Sequence, residues 1–311
     1  EALLRWAEVT RIGDRKELSL NQELMKHWDI VAADRNSCQR ELCKYHDKCF
    51  RLKMIKGMIK ADLIIVNHAL LLSDVMVDNS ILPEFHHLII DEAHTFIKEP
   101  FDRFAHRFSL YDTLKLLQML YVKDRRSKKG YLFHLRSSFP HLGPILDETA
   151  LLVEKAIKMT GKIFDRISVG LQYRDDYNFS HILTPADKER SWLIDTLEIY
   201  RQDWNPNQEL LLSKLKELSM ELEGESESAD LLGIINALQE SADVAFSIMA
   251  EEIHYDSTIT WLECIKGKAV AVCAAEVHTG SILEEQLYRN LKTLVMVSAS
   301  LAIEESFDNF I

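Results

Sequence analysis

The chain has 311 residues, 47% of them apolar, and a formal charge of −12 at pH 7. That length and apolar content allow roughly two domains with real cores, and they exclude a disordered, collagen-like or disulfide-scaffold protein. The negative balance argues against a surface that coats nucleic acid everywhere. No apolar run approaches the roughly 20 residues of a membrane span and no signal peptide opens the chain, so a soluble intracellular protein is expected. The chain opens on Glu1 rather than Met and stops at Ile311 in mid-pattern, which suggests an internal piece.

Residues 1–60 are polar and cysteine-bearing. Cys38-x4-Cys43-x5-Cys49 is a spacing that can grip one zinc ion or an iron–sulfur cluster, with a fourth ligand still to be found. His46 is a local candidate for zinc, although an exposed helical histidine is its plainer reading. Cys264 and Cys273 fall in apolar runs and read as small buried hydrophobes. An odd cysteine count with three clustered fits a reducing compartment better than paired disulfides. Lys44, Lys48, Arg51, Lys53, Lys56 and Lys60 face one acid, Asp47, across a segment whose second half reads as a helix from Phe50 to Lys60.

Two short apolar runs follow, Leu63–Val66 and Leu88–Ile90, with a crossover helix between them over Ala69–Met76. Buried parallel strands in a βαβ unit look like this. From Phe108 to Glu252 the pattern turns helical. Ser109 is placed to cap one helix running through Val122, Pro144 to open a second through Ile163, and Pro185 a third containing Trp192 and Leu197. Two more are expected over Asn207–Glu223 and Ala229–Glu252. The basic run Lys123, Arg125, Arg126, Lys128, Lys129 and the acidic run Glu217–Asp230 read as solvated faces. After Tyr255 strand patterns return at Thr258–Glu263, Ala269–Cys273 and Leu294–Val297, with a helix over Ser281–Asn290. The expectation is a discontinuous α/β domain interrupted by an all-α insertion.

The strongest chemical signal is Leu88-Ile89-Ile90-Asp91-Glu92-Ala93-His94. Two adjacent carboxylates at the C-terminal end of a buried strand are costly unless they have a task, and that edge is where open α/β sheets bind ligands. Asp91 would hold Mg2+ on nucleotide phosphates, Glu92 would polarise the attacking water, and His94 would link the site to the next motif. The bland alternative is a strand-to-helix turn with Asp91 as a cap. Ser298-Ala299-Ser300 after the strand at Leu294–Val297 is weak alone and gains meaning from that context.

Together these residues resemble the DinG/XPD family of superfamily 2 helicases. The likeness rests on the three cysteines, on Ala61–Leu71 with its Asn67-His68, and on Asp91-Glu92-Ala93-His94 as a DEAH box. It continues through the helical insertion and Gln286-Leu287 to Leu294–Leu301 and Ser306-Phe307-Asp308. The family implies an incomplete RecA-like motor domain (residues 61–106 and 255–311), a cysteine domain (1–60) and an all-α Arch insertion (107–254). It implies a monomeric ATP-dependent 5′-to-3′ DNA helicase of the bacterial cytoplasm and nucleoid, using ATP and Mg2+ on single-stranded, forked or looped DNA. It also implies a [4Fe–4S] cluster on Cys38, Cys43, Cys49 and a further cysteine expected upstream of Glu1. Ser298, Ala299 and Ser300 would be the coupling motif, with Ser300 where the family has Thr. The Lys44–Lys60 cations would contact DNA phosphates. No Gly-x-x-x-x-Gly-Lys-Ser/Thr loop occurs, since Gly161-Lys162 and Gly267-Lys268 continue with Ile163 and Ala269. Alone, then, the piece is expected to be a poor ATPase, and a non-catalytic DNA- or protein-binding gate is the alternative.

Overall fold

The computed structural model describes residues 2–18, 28, 32–33, 38, 43, 45–77, 79–96, 99–123, 128–171, 177–249 and 257–299. In chain order these form α1 (Ala2–Val9), α2 (Phe50–Met58), α3 (His68–Val75), β1 (His87–Ile90), α4 (Ala93–Phe96), α5 (Glu99–Arg103), β2 (His106–Ser109) and α6 (Leu110–Leu120). They continue with β3 (Val122–Lys123), β4 (Lys128–Lys129), α7 (Tyr131–Ser138), α8 (Gly143–Leu171), β5 (Phe179–Ile182), α9 (Ser191–Glu198), α10 (Asn205–Glu221) and α11 (Ser226–Met249). Last come β6 (Thr258–Ile265), β7 (Lys268–Glu276), α12 (Thr279–Gln286) and β8 (Thr293–Met296). Two compact units result: unit 1 is residues 1–103 with 280–311, and unit 2 is residues 104–279.

In unit 1, β1 and β8 pair in parallel, with Leu88 opposite Leu294 and Ile89 opposite Val295. The ladder runs on past both strand ends, because Val297 N–H donates to Ile90 O (2.8 Å) and Ala93 N–H to Val297 O (3.0 Å). The expected strand at Leu63–Val66 is extended but is not part of any sheet among the described residues. Its β-branched composition suits a strand, yet a strand is defined by a hydrogen-bonded neighbour, and composition cannot supply one. Leu63 and Ile65 are correspondingly exposed, at 75% and 87%. The crossover helix is present as α3, capped by the Asn67 side chain, which accepts from Leu70 N–H at 2.9 Å.

Unit 2 corrects the expectation of an all-α insertion. It holds a four-stranded antiparallel sheet in the order β2-β7-β6-β5. The strands at Thr258–Ile265 and Lys268–Glu276, expected to belong to the motor domain, are the middle of this sheet. The reason is local: Lys266 and Gly267 both take positive φ (48° and 70°), the geometry of a tight two-residue hairpin turn, so the strands pair with each other antiparallel. A continuous apolar run such as Ala269–Ala275 reads like a buried parallel strand, but β7 owes its burial to neighbours on both edges and helices against it. The partners β2 and β5 are short and polar-rich (HRFS and FSHI), which hid them.

The helices follow the periodicity. Ser109 caps α6 through Asp112 N–H at 3.3 Å. The helix opened near Pro144 runs unbroken for 29 residues, burying Leu146, Val153, Ala156, Ile163, Ile167 and Leu171 at helical spacing. At Thr184–Asp187 a capping box encloses a single turn, and α9 then continues through a π-helical segment, Ile199–Trp204, into α10. The polar break Lys123–Gly130 is bracketed by the short paired strands β3 and β4, and the helix α7 follows it, neither of which composition showed.

Candidate active site at the C-terminal edge of β1

The candidate site lies wholly in unit 1, and its geometry begins with β1 and α3. Ile90 is buried (2% exposed) at the end of β1, so the chain must turn as it leaves the sheet. The turn is made at Glu92, whose φ of 49° is left-handed and costs about 1–3 kcal/mol for a residue with a Cβ. Asp91 Oδ1 accepts from Glu92 N–H at 2.9 Å, and Thr95 Oγ1 donates to Glu92 O at 2.9 Å, which together hold the turn.

His94 Nδ1 lies 2.8 Å from Ser298 Oγ and 3.3 Å from Glu92 Oε2. The two motif-bearing strand ends are therefore joined by one imidazole. Ala299 follows Ser298 in the turn after β8, while Ser300 lies outside the described residues.

Sequence reasoning quoted Asn67-His68 without giving the histidine a task. Its Nε2 is 2.9 Å from Asp91 O, while Nδ1 lies 3.4 Å from Thr95 Oγ1 and 3.5 Å from Glu99 Oε1. The ring packs edge-on against Phe96 at 5.2 Å between centroids. With Nε2–H donating to the Asp91 carbonyl, His68 pins the start of α3 to the carboxylate turn. The only sequence signal for this was a histidine directly after an N-cap asparagine.

An open cavity of about 670 Å³ lies over these groups, lined by Asn67, His68, Asp91, Glu92, Asp102 and Arg103 among others. Four carboxylates (Asp91, Glu92, Glu99, Asp102) face one arginine there, a field that favours a cation. Among the described residues no three His, Cys, Asp or Glu side chains are grouped to hold a metal by themselves. Magnesium does not require that, because it binds through one or two carboxylates, water and phosphate oxygens. Asp91 and Glu92 therefore fit a magnesium–phosphate ligand.

The cysteine segment is different. Cys38, Cys43 and Cys49 are half-buried free thiols; Cys49 leads into α2 and Cys38 Sγ accepts from Arg51 Nη1 at 3.5 Å. An iron–sulfur cluster needs four protein ligands around it. The thiol chemistry suits such a group, and among the described residues no three donors of this kind are grouped. Cys264 and Cys273 are buried in unit 2, where desolvation pushes their thiols up to about 11 and about 12. Of the basic segment, Lys48, Lys53, Lys56 and Lys60 are exposed and Arg51 is half-buried; Lys53 Nζ stands 5.4 Å over the Phe50 ring. Lys44 lies outside the described residues.

No family model matches the chain. Over 98% of its length it is 27% identical to the 3′-5′ exonuclease DinG of Bacillus subtilis, the match covering 34% of that protein. It is 23% identical over 91% of its length to the ATP-dependent DNA helicase DinG of Photobacterium profundum, covering 41% of it. A stretch of 97 residues is 34% identical to the ATP-dependent DNA helicase YoaA of Escherichia coli, covering 15% of that protein. These curated homologues are of the DinG/YoaA type, and the chain spans well under half the length of each. Among the described residues no helix is long and apolar enough to cross a membrane.

Proposed function

We propose that this chain supplies the metal- and water-activating half of the ATP site in a DinG-type ATP-dependent DNA helicase. The observation that carries it is the single hydrogen-bonded corner at the ends of β1 and β8, where Asp91 and Glu92 sit on a strained turn and His94 reaches Ser298. Strain of this kind persists where the surrounding structure fixes it, and it clusters at functional sites.

In this reading Asp91 would hold magnesium at the nucleotide phosphates and Glu92 would orient the attacking water. His94 passes the state of the site to the Ser298-Ala299-Ser300 turn, while His68 keeps Asp91 in place from behind. Magnesium, when bound, supplies neutralisation of the charge that develops on the transferred phosphoryl group. The 311 residues contain no Gly-x-x-x-x-Gly-Lys-Ser/Thr, so the phosphate cradle comes from another part of the protein. Single-stranded and forked DNA is the proposed substrate, tracked 5′ to 3′ and held in part by phosphate contacts from Lys48, Arg51, Lys53, Lys56 and Lys60.

The test is DNA-stimulated ATP hydrolysis by the full-length protein and its Glu92→Gln variant. Loss of a positioned general base lowers turnover about 10²–10⁴-fold, with ATP binding retained. Full turnover in Glu92→Gln would remove the assignment. Digestion of DNA without ATP that is lost in Glu92→Gln would instead make this carboxylate pair a nuclease site.

A further inference from the structure

The left-handed φ of Glu92 depends on how the peptide groups before and after its Cα are held. The following group is tied at both ends. Glu92 O accepts from Thr95 N–H and Thr95 Oγ1–H, each at 2.9 Å, and Ala93 N–H donates to Val297 O at 3.0 Å. The preceding group, between Asp91 and Glu92, has its N–H on Asp91 Oδ1 at 2.9 Å. That carboxylate is the one the ATP-site reading gives to magnesium. The carbonyl of the same group lies 2.9 Å from His68 Nε2. Among the described residues, His68 is therefore the hold on this peptide that comes from outside the turn and takes no part in the chemistry.

His68 is itself fixed. It is the first residue of α3, which its Asn67 cap and the buried Leu71, Leu72 and Val75 anchor in unit 1. A carbonyl oxygen only accepts, so Nε2 carries the proton shared with Asp91 O. The other ring nitrogen, Nδ1, faces Glu99 Oε1 at 3.5 Å, and Phe96 meets the ring edge-on. Glu99 lines the same cavity as Asp91 and Glu92.

Building on the ATP-site reading, we infer that Glu99 and His68 form a positioning pair for the Glu92 carboxylate. Glu99 steadies the imidazole from the Nδ1 side, as carboxylates do for functional histidines. Nε2–H then fixes the Asp91–Glu92 peptide, and with it the φ of 49° at Glu92. Without that bond the peptide rotates, φ returns to negative values, the strain is released and the side chain is displaced. Helices α3 and α5 thus set the aim of a group that neither of them carries.

The test is steady-state ATP turnover by the full-length protein with DNA present. A glutamine amide nitrogen can stand where Nε2 stands, whereas an asparagine reaches only as far as Nδ1. His68→Asn should lower kcat about 10²-fold with KM for ATP little changed, because a misplacement of about 1 Å costs that much. His68→Gln should recover most of the loss. Glu99→Ala should lower kcat about tenfold in the parent and no further in His68→Asn, as for two residues that act as one. Parental kcat in His68→Asn, or His68→Gln no better than His68→Asn, would overturn the inference. Additive losses would remove Glu99 from the pair. Should His68→Asn not fold, Glu99→Ala and His68→Gln decide: a kcat loss at unchanged KM in the first and activity in the second are expected, and the reverse sinks the pair. Glu92→Gln in the same assay keeps the two ideas apart. Full turnover there removes the ATP-site reading, whereas its loss beside an undamaged His68→Asn removes only the positioning pair.

Discussion

Unit 2 and unit 1 differ in how completely each buries its own apolar surface. Unit 2 encloses one continuous core in which Phe108, Phe164, Tyr200 and Trp204 meet the leucines of α8, α10 and α11. Two of its inner polar groups answer one another: Trp204 Nε1–H donates to Thr160 Oγ1 at 2.9 Å, and Thr160 in turn donates to Ala156 O. Unit 1 buries Leu71, Leu72, Val75, Ile90 and Phe96, yet leaves Ile65 and Ile89 87% and 71% exposed. A parallel pair of strands ordinarily has both faces covered. Unit 1, which carries the proposed site, leaves apolar side chains of Leu63–Val66 and β1 open.

The sharpest way to break this comparison is to remove one large side chain from each unit. Trp204→Ala should cost about 3–5 kcal/mol, because a fully buried ring stacked on Tyr200 and edge-on to Phe108 leaves a cavity and an unanswered Thr160. Ile89→Ala should change stability by less than about 0.5 kcal/mol, as surface substitutions do. Urea unfolding of the two variants measures both. Equal costs would mean that the exposed face of β1 is covered in solution.

A smaller effect is expected at Asp187, the N3 residue of the capping box. Burial alone would raise its carboxyl. Hydrogen bonds from Thr184 N–H and Oγ1–H, with His181 and Arg190 nearby, outweigh that and hold it below the usual carboxylate value. A depressed folded-state value stabilises above the unfolded-state value and is lost as pH falls through the folded one. Asp187→Ala should therefore cost about 1 kcal/mol at neutral pH, the usual worth of a cap, and the difference from the parent should shrink on acidification. A stability difference that stays constant from neutral pH down to strong acid would show that the carboxylate charge contributes nothing.

The smallest effect sharpens the picture of unit 1. His94 and Ser298 are coupled through one partly exposed hydrogen bond, so a double-mutant cycle with His94→Ala and Ser298→Ala should give about 0.5 kcal/mol of interaction energy in unfolding experiments. A value near zero would dissolve the link between the two strand ends.

Much of this was legible in the residues. The helices of unit 2 announce themselves because a side chain every third or fourth position must point into the core, and Ser109 marks the start of one by accepting a free N–H group. Asp91 and Glu92 stood out because carboxylates directly after an apolar strand have few structural reasons to be there. The failures share one cause. Leu63–Val66 has strand composition without a strand neighbour among the described residues, and Thr258–Glu276 has strand composition with a neighbour the reading did not foresee.

The sequence by itself determined the local states: which stretches are helical, where they begin, and which polar residues sit where they are costly. Only the tertiary structure decided what each strand pairs with and that His68 braces Asp91 from 23 residues away. The physical reason is range. Helix periodicity and capping are written within a few residues, whereas a sheet edge, a brace or a pocket exists only once distant parts of the chain supply the other half of each hydrogen bond.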